Sequence, residues 1–560
     1  ACAPACGIRF PRVYGTRLAS LASRIPGNPV GRVADAAFTV KVGIESGLLA
    51  PVRPDKLARM AARYARWGNN PATAIQLAAI RHPDDVYLTD EAGSLTYEEV
   101  DRRSNALARA LSERGIRQGD GIAIMARNHR GFVDATLASS KLGASTLYLN
   151  TMFSGPQLAD VVEREAPKAL IYDAEFAGLL EQVPEGLVRM VSWREGGELP
   201  DPATDALIAE TSDADLDPPP DNPRFIILTS GTTGTPKGAQ RGSPTGLGPL
   251  ISLVDAIPFR TGERMFIAAP AFHSWGFTHL IVSLSFSNSV LLQRRFKPED
   301  ALRAAAEFDP HVIAVVPVML QRMLQLPAEV LDEIRLPSLR ITSVSGSALP
   351  GELALQWMDR FGDTVYNLYG STEVAYATVA NPKDLREAPG TAGRPPRGTV
   401  IRIVDEEGND VPPGQTGRIF VGNEMAFEGY TGGGGKEALG DLLSSGDVGH
   451  FDEQGRLFID GRDDEMIVSG GENVFPREIE DLLAGHEAVR EVAVVGVEDE
   501  DWGQRLKAFV VPEEGRELTE DEIKAYVKSH TAAYKVPREV VFLDSLPRNA
   551  TGKILKRELA

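Results

Sequence analysis

The sequence predicts an α/β protein with a large N-terminal domain of layered α/β sheets plus a small β-barrel, followed by a small α+β C-terminal domain. Three observations carry that expectation. Between residues 121 and 361, strand-length apolar runs alternate with helix-like segments, the pattern of parallel strands joined by helices. From about Arg394 to Asp460 the text shortens to "VIRIVDEEGND", "GRIFVGN" and "RLFIDGRDDE", short strands broken by acidic or glycine turns. After "GRDDE" a fresh set of helix and strand patterns begins. The expected division is 1–90 as an N-terminal extension, 91–463 as the large domain and 464–560 as the C-terminal domain, with the boundary at Asp463 and Asp464.

Each element has a local reason. From Ala1 to Ala34 there is no acid and no lysine, while Arg9, Arg12, Arg17, Arg24 and Arg32 are present, and Leu18, Leu21 and Ile25 fall on one helical face. Such a tail reads as a transit peptide, a membrane-surface helix or an amphipathic helix packed on the domain. Cys2 and Cys6 are the only cysteines, too few for a zinc site or a disulfide framework. Thr96 and Glu99 stand at capping-box spacing, with Val100, Leu107 and Leu111 on a helical period behind them. "GIAIMARN", "ALIYDA", "RFIILTSG", "RMFIAAP", "VLLQRRF", "HVIAVVPV" and "LRITSVSG" read as buried strands, and "PEDALRAAAEF" and "GELALQWMDRF" as helices. In the last unit, "PREIEDLLAGH" and "TEDEIKAYVKSH" read as helices around the strands "EVAVVGVEDE" and "RLKAFVVPEE".

Composition limits the function classes. The chain has 560 residues, 43% hydrophobic and 24% charged, enough for two or more domains with a sizeable core. Its net charge of -19 argues against nucleic acid as a partner, because phosphate contacts need a basic face. No run approaches the ~18 apolar residues of a membrane span. A cytoplasmic protein is expected, with peripheral membrane contact through the N-terminal tail as the alternative.

The stretch "TSGTTGTPKG", residues 229 to 238, follows a predicted strand and carries small side chains, hydroxyls and one lysine. Backbone N–H groups in such a turn can form a nest for phosphate. It is not a Walker loop. Pro236 stands where the second glycine belongs, Gly238 where a magnesium-binding hydroxyl belongs, and Pro236 disfavours a helix starting at Lys237. By itself the decamer reads equally as a solvated linker.

Further motifs follow in order: "SGSALP" from Ser345, "NLYGSTEVA" from Asn367, "SSGDVG" from Ser444, "DGRDDEMIVSGGENVFPREIE" from Asp460 and "YKVPREVVFLDSLPRNATGKILKREL" from Tyr534. Together, over roughly residues 90 to 560, they resemble the adenylate-forming superfamily of acyl-CoA synthetases, nonribosomal adenylation domains and firefly luciferase. Within it the chain looks most like bacterial fatty-acyl-CoA synthetases. The resemblance implies ATP, magnesium and coenzyme A as reactants. A carboxylate attacks the α-phosphate of ATP, pyrophosphate leaves, and the acyl-adenylate is taken by the coenzyme A thiol.

It also implies roles. Thr229, Ser230, Gly231, Thr232, Thr233, Gly234 and Lys237 would cradle the departing phosphates, with Glu373 and Thr229 holding magnesium. Gly346, Ser347 and Ala348 would wall one side of the adenine, with Tyr369 on the other, Thr372 as a phosphate-side hydroxyl and Gly370 and Ser371 in the same ATP-binding set. Asp447 and Arg462 would take the ribose hydroxyls. Lys553 would be the catalytic cation on the carboxylate and α-phosphate, joined by Glu373, Thr232 and Lys237. Asp464 would be the hinge of a mobile C-terminal domain, bringing in a coenzyme A loop with Gly470, Gly471 and Glu472. Phe272, His273, Trp275 and Phe277 in "APAFHSWGFTHL" would border the acyl pocket. The expected substrate is a medium- or long-chain fatty acid. The alternatives are an aryl or other carboxylic acid, an acyl-AMP ligase serving a carrier protein, or a binding scaffold that has lost catalysis.

Overall fold

The computed structural model describes residues 29–197, 199–229, 237–241, 248–425, 427, 429–431, 433, 435–469, 472–499, 503–549 and 552–559. The expectations on Cys2, Cys6, the tail to residue 28, Ser230 to Gly234, Gly470 and Gly471 lie outside the described residues, as do the side chains of Thr229, Lys237 and Glu472.

Two large mixed sheets form the main body. In the seven-stranded sheet, Phe225–Thr229, Ser145–Tyr148, Gly121–Met125, Ala169–Asp173 and Val188–Trp193 run parallel, and Lys237–Arg241 and Gly429–Tyr430 add antiparallel strands beyond Phe225–Thr229. In the eight-stranded sheet six parallel strands, Val365–Tyr369, Ile341–Val344, Val312–Val315, Arg264–Ile267, Ser289–Leu292 and Val86–Asp90, are flanked by the antiparallel edges Thr378–Ala380 and Gly93–Thr96. Several of the parallel strands are continuous apolar runs, as expected where helices cover both faces. Val312–Val315 is buried at every position.

The expected division at residue 90 falls inside this architecture. Val86–Asp90 pairs with Ser289–Leu292, and the preceding helix Pro71–Arg81 is buried along most of its length. The next helix, Tyr97–Glu113, starts as its sequence requires. Thr96 Oγ1 accepts from the Glu99 N–H at 3.2 Å, and Glu99 Oε2 accepts from the Thr96 N–H at 2.7 Å. Val100, Leu107 and Leu111 are buried, each contributing about 1.5–3 kcal/mol of transfer free energy. Removing the Thr96 cap would cost about 1 kcal/mol.

The barrel-like piece is a five-stranded antiparallel sheet of Val400–Val404, Gly417–Gly422, Leu442–Phe451, Ala438–Leu439 and Leu457–Arg462. The C-terminal unit is α+β: Glu472–Val474, Ile467–Ser469, Gly503–Pro512 and Val489–Asp499 with Glu539–Phe542, packed under helices Pro476–Ala484 and Glu520–His530. It has its own core around Ile479, Leu483, Val494 and Ile523. No described helix is long and apolar enough to cross a membrane.

Candidate active site

Three neighbouring parallel strands, Val312–Val315, Ile341–Val344 and Val365–Tyr369, end at one crevice, where loops of an open α/β sheet gather ligands. Their carboxyl ends deliver Val318, then Gly346, Ser347 and Ala348, then Tyr369, Gly370, Ser371, Thr372 and Glu373 to a single cavity. Two glycines there are demanded by geometry. Gly346 has φ +98°, a left-handed conformation, and a Cβ on Gly370 would lie 2.0 Å from the Ala375 carbonyl oxygen.

The Glu373 carboxylate is aimed by two hydroxyls. Ser371 Oγ donates to Oε2 at 2.9 Å and accepts from the Glu373 N–H at 3.2 Å, while the Tyr430 hydroxyl donates to Oε1 at 2.7 Å. Tyr430 is a contact that sequence reasoning missed. It sits 57 positions away, and only the pairing of Gly429–Tyr430 with Lys237–Arg241 brings it here.

Asp447 and Arg462 face each other on adjacent antiparallel strands. Arg462 Nη1 lies 3.4 Å from Asp447 Oδ1, and the Tyr369 hydroxyl donates to Asp447 Oδ2 at 2.5 Å. Burial pushes the Asp447 carboxyl up, against the opposing pull of the Tyr369 hydroxyl, Arg462 and Lys553. Arg462 also pairs with Asp464, the expected hinge residue, at 3.0 Å. Lys436, likewise missed, lines the same wall. A Cβ on Gly446 would lie 3.3 Å from Arg462 Nη2 and 3.4 Å from Lys436 Nζ, so positive charge is concentrated here in an acidic protein.

The C-terminal unit reaches the crevice through its last turn. Asn549 Oδ1 accepts from the Lys553 N–H at 2.9 Å, and the Asn549 N–H donates to the Lys553 carbonyl at 2.9 Å. Gly552 between them has φ +78°, and a Cβ there would lie 2.2 Å from Val318 Cγ1 on helix Pro317–Leu324. From the same helix Gln321 Nε2 donates to the Arg490 carbonyl at 2.9 Å. Docked in this way, Lys553 lines the cavity that also holds Glu373, Tyr369 and Asp447.

The strands Phe225–Thr229 and Lys237–Arg241 flank the glycine- and threonine-rich stretch as an antiparallel pair, with Thr229 opposite Lys237. A strand, not a helix, begins at Lys237, consistent with the failed Walker spacing. Glu472 begins the strand Glu472–Val474.

His273, Trp275 and Phe277 line the cavity on and before helix Ser274–Ser285. Trp275 Nε1 donates to the Val315 carbonyl at 3.1 Å, which fixes the indole. Among the described residues His273 Nε2 and His279 Nε2 are buried without a hydrogen-bond partner. Burial lowers both imidazoles to about 4. His273 is therefore held neutral near pH 7 by its burial. The sign of the stability effect follows: below pH ~6.5 the unfolded chain binds protons that the folded chain does not. Stability should fall as pH drops from 6.5 towards 4, by up to about 1.4 kcal/mol per pH unit per histidine. Urea melts of His279→Asn should show a shallower acid decline than the parent; equal slopes would contradict this.

The fold thus brings Lys553 of the C-terminal unit into one crevice with loops that follow the strands of a large α/β sheet. The AMP-binding enzyme family matches residues 75–431, and the AMP-binding enzyme C-terminal domain matches 478–553. This chain belongs to the AMP-binding enzyme family. Feruloyl-CoA synthase of Amycolatopsis sp is 33% identical, over 83% of this chain and 93% of that protein. Indoleacetate–CoA ligase of Aromatoleum aromaticum (strain DSM 19018 / LMG 30748 / EbN1) is 32% identical, over 83% and 92%. The fatty acid–[acyl-carrier-protein] ligase ScoC of Streptomyces coeruleorubidus is 31% identical, over 84% and 92%. The crystal structure of the anthranilate CoA ligase AuaEII in complex with anthranoyl-AMP superimposes with a TM-score of 0.79 at 25% identity, covering 88% of this chain and 96% of that one. The protein is thus an ATP-dependent, AMP-forming acid–thiol ligase.

Proposed function

We propose that this enzyme joins an aromatic carboxylic acid to coenzyme A through an acyl-adenylate. Support for the aromatic class comes from the feruloyl, indoleacetate and anthranilate ligases among its relatives, which stand beside the fatty acid ligase ScoC. The fatty-acid expectation, drawn from the resemblance to bacterial fatty-acyl-CoA synthetases, gives way to the aryl alternative, because the apolar wall of "APAFHSWGFTHL" receives an aryl ring as readily as an alkyl chain.

The first step brings one anion onto another, so this chain's task is positioning and charge neutralisation. The single observation that carries the reading is Lys553 in one cavity with Glu373, Tyr369 and Asp447. In the proposed roles Lys553 contacts the carboxylate and α-phosphate. Thr229, Ser230, Gly231, Thr232, Thr233, Gly234 and Lys237 hold the leaving phosphates. Tyr369 lies against adenine opposite Gly346, Ser347 and Ala348, with Gly370 and Ser371 in the same loop and Thr372 as a phosphate-side hydroxyl, and Asp447 with Arg462 takes the ribose. His273, Trp275 and Phe277 bound the acid. Glu373 fits magnesium, offering a carboxylate already oriented by Ser371 and Tyr430, a hard oxygen ligand, and Thr229 is proposed as a second ligand. When bound, the ion neutralises phosphate charge. Thioester formation then follows rotation at Asp464, with Gly470, Gly471 and Glu472 beside the pantetheine arm.

Product mass spectrometry with ATP, magnesium, coenzyme A and a panel of aryl and fatty acids tests this. Aryl-CoA as the best product supports it. Preferred turnover of fatty acids defeats the aromatic assignment, and adenylate accumulating without thioester points to a carrier-protein acceptor instead.

The Tyr369 hydroxyl donates to the Asp447 carboxylate, which in the proposed roles takes the ribose. Tyr369→Phe removes one charge-assisted hydrogen bond, worth about 1.5–3 kcal/mol, and should raise the KM for ATP roughly tenfold or more while leaving the KM for the acid within about twofold. Equal rises in both constants would contradict it.

A further inference from the structure

The cavity that holds the nucleotide crevice measures about 1610 Å³. Ordinary small-molecule sites run to about 300–1,000 Å³, so space is left over. The excess has a direction. Helix Ser274–Ser285, which carries Trp275 and Phe277, packs on helix Pro71–Arg81, and that helix packs on Pro54–Trp67. Each turns one face to the void. Phe277, Ile281 and Ser285 line it at four-residue spacing on the first helix, Ala74, Ala78 and Arg81 on the second, and Met60 and Tyr64 on the third. Ala74 and Leu77 are half-buried, whereas Ile75 and Gln76 between them are buried in protein, so it is the cavity that leaves the former pair open. Apart from Arg81 and Ser285 these positions are apolar. Leu49, between helices Pro29–Glu45 and Pro54–Trp67, adds to the far wall; it is 56% exposed and Tyr64 45%, so this end opens to solvent. The family match begins at residue 75. Met60, Tyr64 and Leu49 form a wall that lies outside the matched segment.

We propose that this distal chamber is a binding subsite for an apolar tail, and that the preferred acid carries a hydrophobic chain extending from its aromatic ring away from the carboxylate. The inference rests on the acid ligase reading above and names its substrate class more narrowly. Met60 and Tyr64 read the end of the tail, and Ala74 is small because a larger side chain would cross its path.

The test is kcat/KM for adenylation, followed by pyrophosphate–ATP exchange, across benzoate and 4-alkoxybenzoates from methoxy to octyloxy. Each methylene that enters the chamber should raise kcat/KM by up to about fourfold until the wall is reached. Ala74→Trp should cancel that gain, raising KM for the octyloxy acid at least tenfold, while benzoate turnover stays within about twofold and serves as the control for folding. Met60→Ala should move the optimum to a longer chain. A wild-type profile that is flat or falls with length, or one that Ala74→Trp leaves unchanged, overturns the tail subsite while benzoate exchange leaves the ligase reading intact. Absence of exchange with every member, benzoate included, overturns the ligase reading and this inference with it.

Discussion

Lys553→Ala should lower the rate of adenylate formation by about 10²–10³-fold, while thioester formation from a supplied acyl-adenylate stays within about tenfold of the parent. The magnitude is that of removing one preorganised charge donor from a transition state that accumulates negative charge. The asymmetry follows from the docking of the C-terminal unit. Lys553 enters the crevice only because the turn after Asn549 seats on helix Pro317–Leu324, and the rotation at Asp464 proposed for the second step would withdraw it. Single-turnover quench experiments on each half-reaction measure both rates. Equal losses in the two would contradict the assignment of this lysine to the first step.

Gly552→Ala should reproduce most of that effect without touching a charge. At φ +78° an alanine is strained by about 1–2 kcal/mol, and its methyl would meet Val318 Cγ1 at 2.2 Å. The C-terminal turn must then lift off the helix, taking Lys553 away from the α-phosphate. Adenylation should fall about 10–100-fold, and the double variant Gly552→Ala with Val318→Ala, which removes the opposing methyls, should recover several-fold. No recovery would mean that the loss comes from the backbone strain alone rather than from displaced docking.

The parts of the molecule that were legible in the sequence are those written locally. Thr96 with Glu99 specified a helix start, and continuous apolar runs such as "HVIAVVPV" specified buried parallel strands, because burial on both faces leaves no polar alternation. The failed Walker spacing at Pro236 correctly excluded a helix beginning at Lys237, where a strand begins. Ordered motifs placed Ser345 to Ala348, Tyr369 to Glu373, Asp447, Arg462 and Lys553, and the fold brings all of them to one cavity.

What was not legible depends on pairings between distant segments. Nothing near Tyr430 announces that its hydroxyl will orient Glu373, since the approach depends on a two-residue strand joining the edge of a sheet. The division at residue 90 overlooked Val86–Asp90 for the same reason: its partner, Ser289–Leu292, lies 200 positions on. In "PDKLARMAARYARW", Leu57, Met60 and Tyr64 fall on one helical face among basic residues, a pattern that marks an apolar surface in need of a partner. The substrate class was illegible because aryl rings and alkyl chains are recognised by the same apolar side chains, and the difference lies in cavity shape.

Acid-dependent exchange of labelled pyrophosphate into ATP tests the central claim most directly, since it reports the first half-reaction in isolation and needs no acceptor. The account predicts exchange that requires an aromatic acid and magnesium and that Lys553→Ala reduces at least a hundredfold. Exchange absent with every acid tried, or undiminished in Lys553→Ala, would contradict it.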